Sequence, residues 1–224
     1  MAFGEEVLPY LSITALSSTV GLFLCGFQIC SRIQQRGTTD GTSPAPFLLP
    51  FISCAFFVQY GVLKNDNVII TTNCVGFALY SLYLSYFYLK TRNRRFLNKI
   101  IFVELMLIVG MVYYTTSLEL PHETALTHLG NVCIVLNIAS IGAPLLEIGK
   151  IIRTKSSESL PLPLCIACFL VSIQWLFYGI IVEDSVIIFP NCVATFISVI
   201  QLSLFVIYPA APTYSKFHDY SHEI

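Results

Sequence analysis

The sequence predicts an all-α membrane protein: seven transmembrane helices, arranged as two parallel three-helix bundles joined by a linker helix. Three observations lead there. Of the 224 residues, 55% are hydrophobic and 11% charged, against roughly 25% charged in soluble domains. So little charge cannot cover a surface in water, and lipid must be the solvent. The apolar residues also gather into stretches of the roughly 20 residues that a helix needs to cross a bilayer. Finally, the chain repeats itself at an offset of 118 residues. Tyr60-Gly61 returns as Tyr178-Gly179, Asp66 as Asp184, Val68-Ile69-Ile70 as Val186-Ile187-Ile188, and Asn73-Cys74-Val75 as Asn191-Cys192-Val193.

The spans follow in order. The first, 8–30, starts without a basic leader or cleavage site and is expected to be retained. The second, 45–63, begins at Ser43-Pro44-Ala45-Pro46 and ends at Lys64-Asn65-Asp66-Asn67. The third, 68–89, follows that turn directly and stops at a basic run. The fourth, 100–117, has no copy elsewhere. The fifth, 127–149, carries Pro144 in its interior, where a proline removes a hydrogen bond and breaks the helix. The sixth, 163–182, starts at Leu160-Pro161-Leu162-Pro163, and the seventh, 186–208, follows the short turn Glu183-Asp184. The offset lays span one over five, two over six and three over seven. A single linker crossing between them makes the repeats parallel, related by an axis along the membrane normal. The expected units are 1–99, 100–126, 127–208 and a tail at 209–224.

Orientation comes from the cations. Arg32, Arg36, Lys90, Arg92, Arg94, Arg95, Lys99, Lys150, Arg153, Lys155 and Lys216 all fall on one side; Lys64 alone is on the other. The positive-inside rule makes the rich side cytosolic, with the N-terminus outside and the C-terminus inside. Glu119, Glu123, Glu183 and Asp184 fall outside.

Several classes of chemistry find no support. A net charge of −1 points to no nucleic-acid partner. All eight cysteines lie in apolar segments, and Cys165-x-x-Cys168 lacks further ligands at metal spacing, so neither a disulfide framework nor a metal site is expected. There is no phosphate-binding motif, hence no nucleotide cofactor, and no in-span His or paired carboxylates to suggest an enzyme. Proton- or sodium-driven carriers keep an ionisable group at mid-membrane. Here Glu104 and Glu147 each sit about a turn from the cytosolic end, where they are expected to pair with Lys99 and Lys150 or reach water.

What remains is a duplicated unit with an amide at the same depth in each copy, the pattern of a carrier whose substrate binds between repeats. Asn73 and Asn191 each offer a donor and an acceptor; the plain alternative is a hydrogen bond to a neighbouring helix. Phe57 and Trp175 share the offset and offer flat walls. Trp175 is too deep for an interfacial belt, whereas Tyr60 and Tyr178 could be belt residues.

From about Ser17 to Tyr208 the chain resembles the SWEET family of sugar transporters. The resemblance rests on Ala143-Pro144 through Lys155-Ser156-Ser157-Glu158-Ser159-Leu160-Pro161, on Trp175-Leu176-Phe177-Tyr178-Gly179, on Phe189-Pro190-Asn191, and on the first-repeat copies. It implies transport of a sugar between the repeats; the missing mid-membrane charge and ATP motif make passive, bidirectional uniport by alternating access the expected mode, and Phe57, narrowing the pocket, favours a monosaccharide such as glucose. It further implies a pocket at Asn73, Asn191, Phe57 and Trp175, and an outer gate pairing Tyr60 with Asp184, whose symmetry mates are Tyr178 and Asp66. Helix-bending prolines that work the inner gate match Pro46, Pro144 and Pro161, with Gly26 departing from the pattern at the fourth position. Pro46 and Pro161 read equally well as ordinary helix starts.

The expected partners are a sugar and the lipid bilayer, with a homo-oligomer left open. The expected location is the plasma membrane or an endosomal or Golgi membrane, since Tyr214-Ser215-Lys216-Phe217 fits a tyrosine-based sorting signal. The competing readings are a PQ-loop carrier of another small neutral solute or a sorting receptor, although Pro144-Leu145 stands where those carry Pro-Gln. A seven-helix G-protein-coupled receptor would not repeat in a three-one-three pattern.

Overall fold

The computed structural model describes residues 2–117, 120–157 and 160–209, and in these the only regular secondary structure is helix. Glu119, Glu158 and the tail motif at Tyr214 lie outside the described residues. Among the described residues seven stretches are long and apolar enough to cross a membrane, and the protein is a multi-pass membrane protein.

The first and fifth crossings are each broken in two. Helices α1 (Ala2–Phe23) and α2 (Gly26–Arg36) form the first; α6 (His122–Ser140) and α7 (Gly142–Thr154) form the fifth. At the first break the amides of Cys25, Phe27 and Gln28 reach carbonyls three residues back, at 3.0, 3.0 and 3.1 Å. That is a tightened turn, one of the recognised causes of a kink. At the second, the Ile141 amide does the same to Ile138, and Pro144 stands three residues on with no amide to donate. Both crossings are longer than the spans expected at 8–30 and 127–149, running 6–36 and 122–154, and the fifth is broken close to Pro144 as expected.

The other crossings are single helices: α3 (Ala45–Lys64), α4 (Asn67–Lys90), the linker α5 (Arg95–Ser117), α8 (Leu162–Ile181) and α9 (Ser185–Ile207). Pro46 is the second residue of α3 and Pro161 is the N-cap of α8. Each therefore starts a helix rather than bending one, as suits a residue without an amide proton. Asp66 caps α4, accepting from Val68 and Ile69 at 2.9 and 3.0 Å; Asp184 caps α9, accepting from Val186 at 2.9 Å.

Within each repeat the second and third helices form a tight hairpin, α3 on α4 and α8 on α9. Between repeats, α1 lies on α8 and α3 on α6, while α2 packs on α4 and α7 on α9. The buried clusters follow the same division. Towards the short turns one cluster joins the repeats, with Ile52, Phe56, Tyr60 and Ile69 against Leu129, Cys133, Tyr178 and Ile187. Towards the basic end each repeat keeps its own core: Phe47, Phe51, Tyr83 and Phe87 in the first, Ile151, Leu160, Cys165 and Leu204 in the second. The two halves are thus cemented at the turn end and part company at the basic end.

Glu104 corrects one expectation. It is 7% exposed, buried with its Oε2 unpartnered among the described residues, so it neither reaches water nor pairs with Lys99. The linker seam holds it because it shares a face with Ile101 and Ile108, which pack inward.

A candidate transport site between the repeats

A cavity of about 280 Å³ lies where the repeats begin to separate. Six pairs of its lining residues are related by the 118-residue offset: Thr19 and Asn137, Leu22 and Ser140, Ser53 and Val171, Phe57 and Trp175, Ile69 and Ile187, Asn73 and Asn191. A cavity lined in this way sits on the axis that relates the two copies.

Asn73 and Asn191 stand about two turns below the capped starts of α4 and α9. Each donates one amide proton to the carbonyl four residues back, Asn73 to Ile69 at 2.9 Å and Asn191 to Ile187 at 2.8 Å. The bond is local, not the bond to a neighbouring helix that was the plain alternative. It fixes the rotamer and leaves the amide oxygen and the second proton for the cavity.

Trp175 donates its indole proton to Thr19 Oγ1 at 2.8 Å, tying α8 to α1 across the repeat boundary. One residue earlier, Ser18 donates to Gln174 at 2.6 Å along the same seam. Phe57 has no donor to use in the matching position, and Asn137, the counterpart of Thr19, makes no side-chain hydrogen bond within the described residues. The two walls are therefore alike in shape and unlike in polarity.

Above the cavity the turn end is closed. Tyr60 donates to both carboxylate oxygens of Asp184 at 2.9 Å, and Tyr178 donates to Asp66 at 2.7 Å. Tyr60, Tyr178 and Asp184 are 2, 3 and 2% exposed, so neither tyrosine is a belt residue. Lys64 adds an ion pair to Asp184 at 3.8 Å. Its offset mate is Val182, so Asp66 has no equivalent support. Aromatic contacts connect closure to pocket: Phe57 meets Tyr60 edge-on at 6.5 Å and Trp175 meets Tyr178 at 5.3 Å. Gly130 makes room for the closure, since a Cβ there would lie 2.7 Å from Val186 and 3.3 Å from the Tyr60 ring.

The sequence-predicted pocket residues all line this one cavity, and the four predicted gate residues meet above it. Gly26 and Pro144 lie at the two helix breaks, further towards the basic end. A Cβ on Gly26 would come within 2.5 Å of the Tyr83 ring, so glycine is what lets α4 approach the kink. Thr19, Asn137, Ser53 and Ser140 were missed. The same offset that paired the asparagines pairs Thr19 with Asn137, and polar side chains inside apolar spans were the available signal.

The arrangement offers hydroxyls and amides around a ring-sized space between flat walls. None of the lining residues is Asp, Glu, Lys, Arg or His. Among the described residues no group of three His, Cys, Asp or Glu side chains could hold a metal ion.

A family model described as a sugar efflux transporter for intercellular exchange matches the chain twice, at residues 9–95 and 127–213. The sugar transporter SWEET1 of Drosophila pseudoobscura pseudoobscura is 42% identical over 200 residues, 89% of this chain and 88% of that one. SWEET1 of Caenorhabditis elegans is 37% identical over 205 residues, 92% of this chain and 67% of that one. Human SWEET1 is 33% identical over 192 residues, covering 85% and 86%. A solved eukaryotic SWEET transporter superposes with a TM-score of 0.82 at 24% identity, covering 92% of this chain and 98% of that one, and it has the same fold.

Proposed function

The chain belongs to the SWEET family of sugar transporters, and from that premise we propose that it is a passive, bidirectional uniporter of monosaccharides such as glucose. As a transporter it is not an enzyme. The observation that carries the mechanism is the symmetric cavity, closed at the turn end by two Tyr–Asp pairs and flanked by Asn73 and Asn191. A sugar ring presents hydroxyls at its edge and weakly apolar faces. Asn73 and Asn191 meet the edge, and Phe57 and Trp175 the faces. Each such hydrogen bond contributes only about 1 kcal/mol net, which suits a site that must release its cargo.

By the positive-inside rule the basic end faces the cytosol, so the conformation is closed outside and open inward. Alternating access then runs as a rocking of one three-helix unit against the other. Opening outward breaks Tyr60–Asp184 and Tyr178–Asp66. Closing inward brings the free halves of α2 and α7 together, with pivots at Gly26 and Pro144 and at the helix starts marked by Pro46 and Pro161. Uniport is supported by a lining without Asp, Glu, Lys, Arg or His; Glu104, a buried carboxyl, lies on α5 outside it. A volume near the low end of the ~300–1,000 Å³ of small-molecule sites, narrowed by Phe57, favours one ring over two. The membrane is the plasma membrane or an endosomal or Golgi membrane.

Reconstitution in liposomes tests this. Labelled glucose should show counterflow without any ion gradient, and Asn191→Ala should abolish it while the protein remains folded in the membrane. A proton current accompanying the sugar would refute uniport. A folded wild-type chain without glucose flux would move the assignment to a PQ-loop carrier of another neutral solute.

A further inference from the structure

A second cavity, of about 450 Å³, lies outside the transport path between α4 and the linker α5. Phe77, Leu84 and Ser85 form one wall, and Ile101 and Leu105 the other. Tyr88 and Leu89 stand at its mouth, next to the basic end of α4. From Leu89 to Phe77 the groove follows about 18 Å of helix, close to the ~15 Å of hydrocarbon in one leaflet. Its length is that of one half of a bilayer.

The mouth is where the charge is. Lys90, Arg92, Arg94, Arg95 and Lys99 crowd into ten residues of sequence, and none forms an ion pair among the described residues. Arg94 is held in place at the groove mouth. Its Nε donates to the Thr91 carbonyl at 3.1 Å, its Nη2 to the Leu89 carbonyl at 3.3 Å, and its guanidinium lies 4.5 Å from the centre of the Tyr88 ring. Two of its five N–H donors are thereby used, and three remain for an anion. Arg94 directly precedes α5, seven residues before Ile101, which puts the cation at the start of the helix that forms the other wall of the groove.

An apolar slot one leaflet long, topped by an unpaired cation cluster, is complementary to one class of molecule. We infer that this groove binds an anionic glycerophospholipid of the leaflet at the basic end, with an acyl chain between α4 and α5 and its phosphate on Arg94 and Arg95. The charge selects the headgroup and the slot retains the chain. The lipid would thereby fill the gap between the linker and the first repeat, and the inference is independent of what the central cavity carries.

Purified full-length protein, titrated with phosphatidylinositol or with phosphatidylcholine of the same acyl chains and read by native mass spectrometry, tests it. Phosphatidylinositol should bind roughly thirty-fold more tightly. The double variant Arg94→Gln/Arg95→Gln should lose roughly thirty-fold of that affinity, two cations each acting near the surface, and fall to the level of phosphatidylcholine. Ser85→Phe, which fills the slot from α4, should weaken both lipids while leaving the lipid-free melting temperature unchanged; Leu105→Trp fills it from α5 and serves if Ser85→Phe does not fold. Equal binding of the two lipids overturns the inference. So does undiminished phosphatidylinositol binding in both slot-filling variants, which would mean headgroup adsorption on the basic turn alone. A lipid-free oligomer that cross-links through Ser85→Cys would assign the groove to a second copy of the chain and overturn it as well.

Discussion

The hydroxyl of Tyr60 is held by both oxygens of Asp184 at 2.9 Å, and Asp184 is at the same time the N-cap of α9. One carboxylate thus satisfies the amide at the start of its own helix and clasps the opposite repeat. The pair Tyr178–Asp66 repeats the device on α4 with a single oxygen. Closing the turn end and starting the third helix of each repeat are the work of the same two side chains.

The two clasps are unequal, and this has a measurable consequence. Asp184 is 2% exposed and takes Lys64 as a further partner, whereas Asp66 is only partly buried. Tyr60→Phe keeps the ring and removes a hydrogen bond to a buried charge, worth about 1.5–3 kcal/mol. The closed turn end should lose that much, a shift of about ten-fold or more in the closed-to-open ratio. Cys133, fully buried in the cluster beneath, reports it. Its modification by a maleimide, located by peptide mass spectrometry, should accelerate by that factor in Tyr60→Phe and by less in Tyr178→Phe. Equal rates in the two variants would show that burial does not set their weight.

Gly26 stands where the second repeat has Pro144, and contact rather than backbone freedom explains it. A Cβ would meet the Tyr83 ring at 2.5 Å. Overpacking of this kind costs about 1–3 kcal/mol. Gly26→Ala should therefore lower the melting temperature, and Tyr83→Leu in the same chain should restore most of the loss. A destabilised Gly26→Ala that Tyr83→Leu fails to rescue would assign the glycine a backbone role instead.

The duplication explains why so much of this fold was legible. Seven spans and their pairing followed from composition and one offset, because lipid enforces helices of fixed length and symmetry places equivalents together; the gate pair Tyr60 and Asp184 came from the family resemblance, and the offset supplied its mates Tyr178 and Asp66. The two helix breaks were less legible. Pro144 announced one, but at Cys25–Gly26 there is no proline, and the need for glycine comes from the nearby Tyr83 ring, a tertiary fact. Thr19 was overlooked for another reason: a threonine inside a span commonly bonds its own helix, and Thr19 does so with Ala15 at 2.7 Å while also accepting from Trp175. Glu104 looked within reach of Lys99, but a seam with α3 decides its surroundings.

The turns between second and third helices carry another asymmetry. Asn65 and Glu183 are equivalent, and both have positive φ, 58° and 53°. Asparagine tolerates that conformation; glutamate is rarely found in it. Glu183→Asn should stabilise the protein by about 0.5–1 kcal/mol, read as a raised melting temperature in detergent, with transport unchanged. A lower melting temperature would mean that the Glu183 side chain contributes more than the strained backbone costs.

The Trp175–Thr19 bond makes the sharpest test of the pocket wall. Trp175→Phe and Thr19→Val each remove the 2.8 Å bond between α8 and α1. Trp175→Phe keeps a flat ring against the cavity, and Thr19→Val keeps the shape of its partner. If the bond orients the indole, the two changes act on one interaction. The double variant should then be no worse than the poorer single one, with a coupling of about 1 kcal/mol in stability. Sugar half-saturation should rise in all three by similar factors, because a loosened ring presents its face less often. Additive losses would instead mean that Thr19 and Trp175 reach the sugar separately. Thr19 would then be a binding residue in its own right, as its place in the lining beside Asn137 permits.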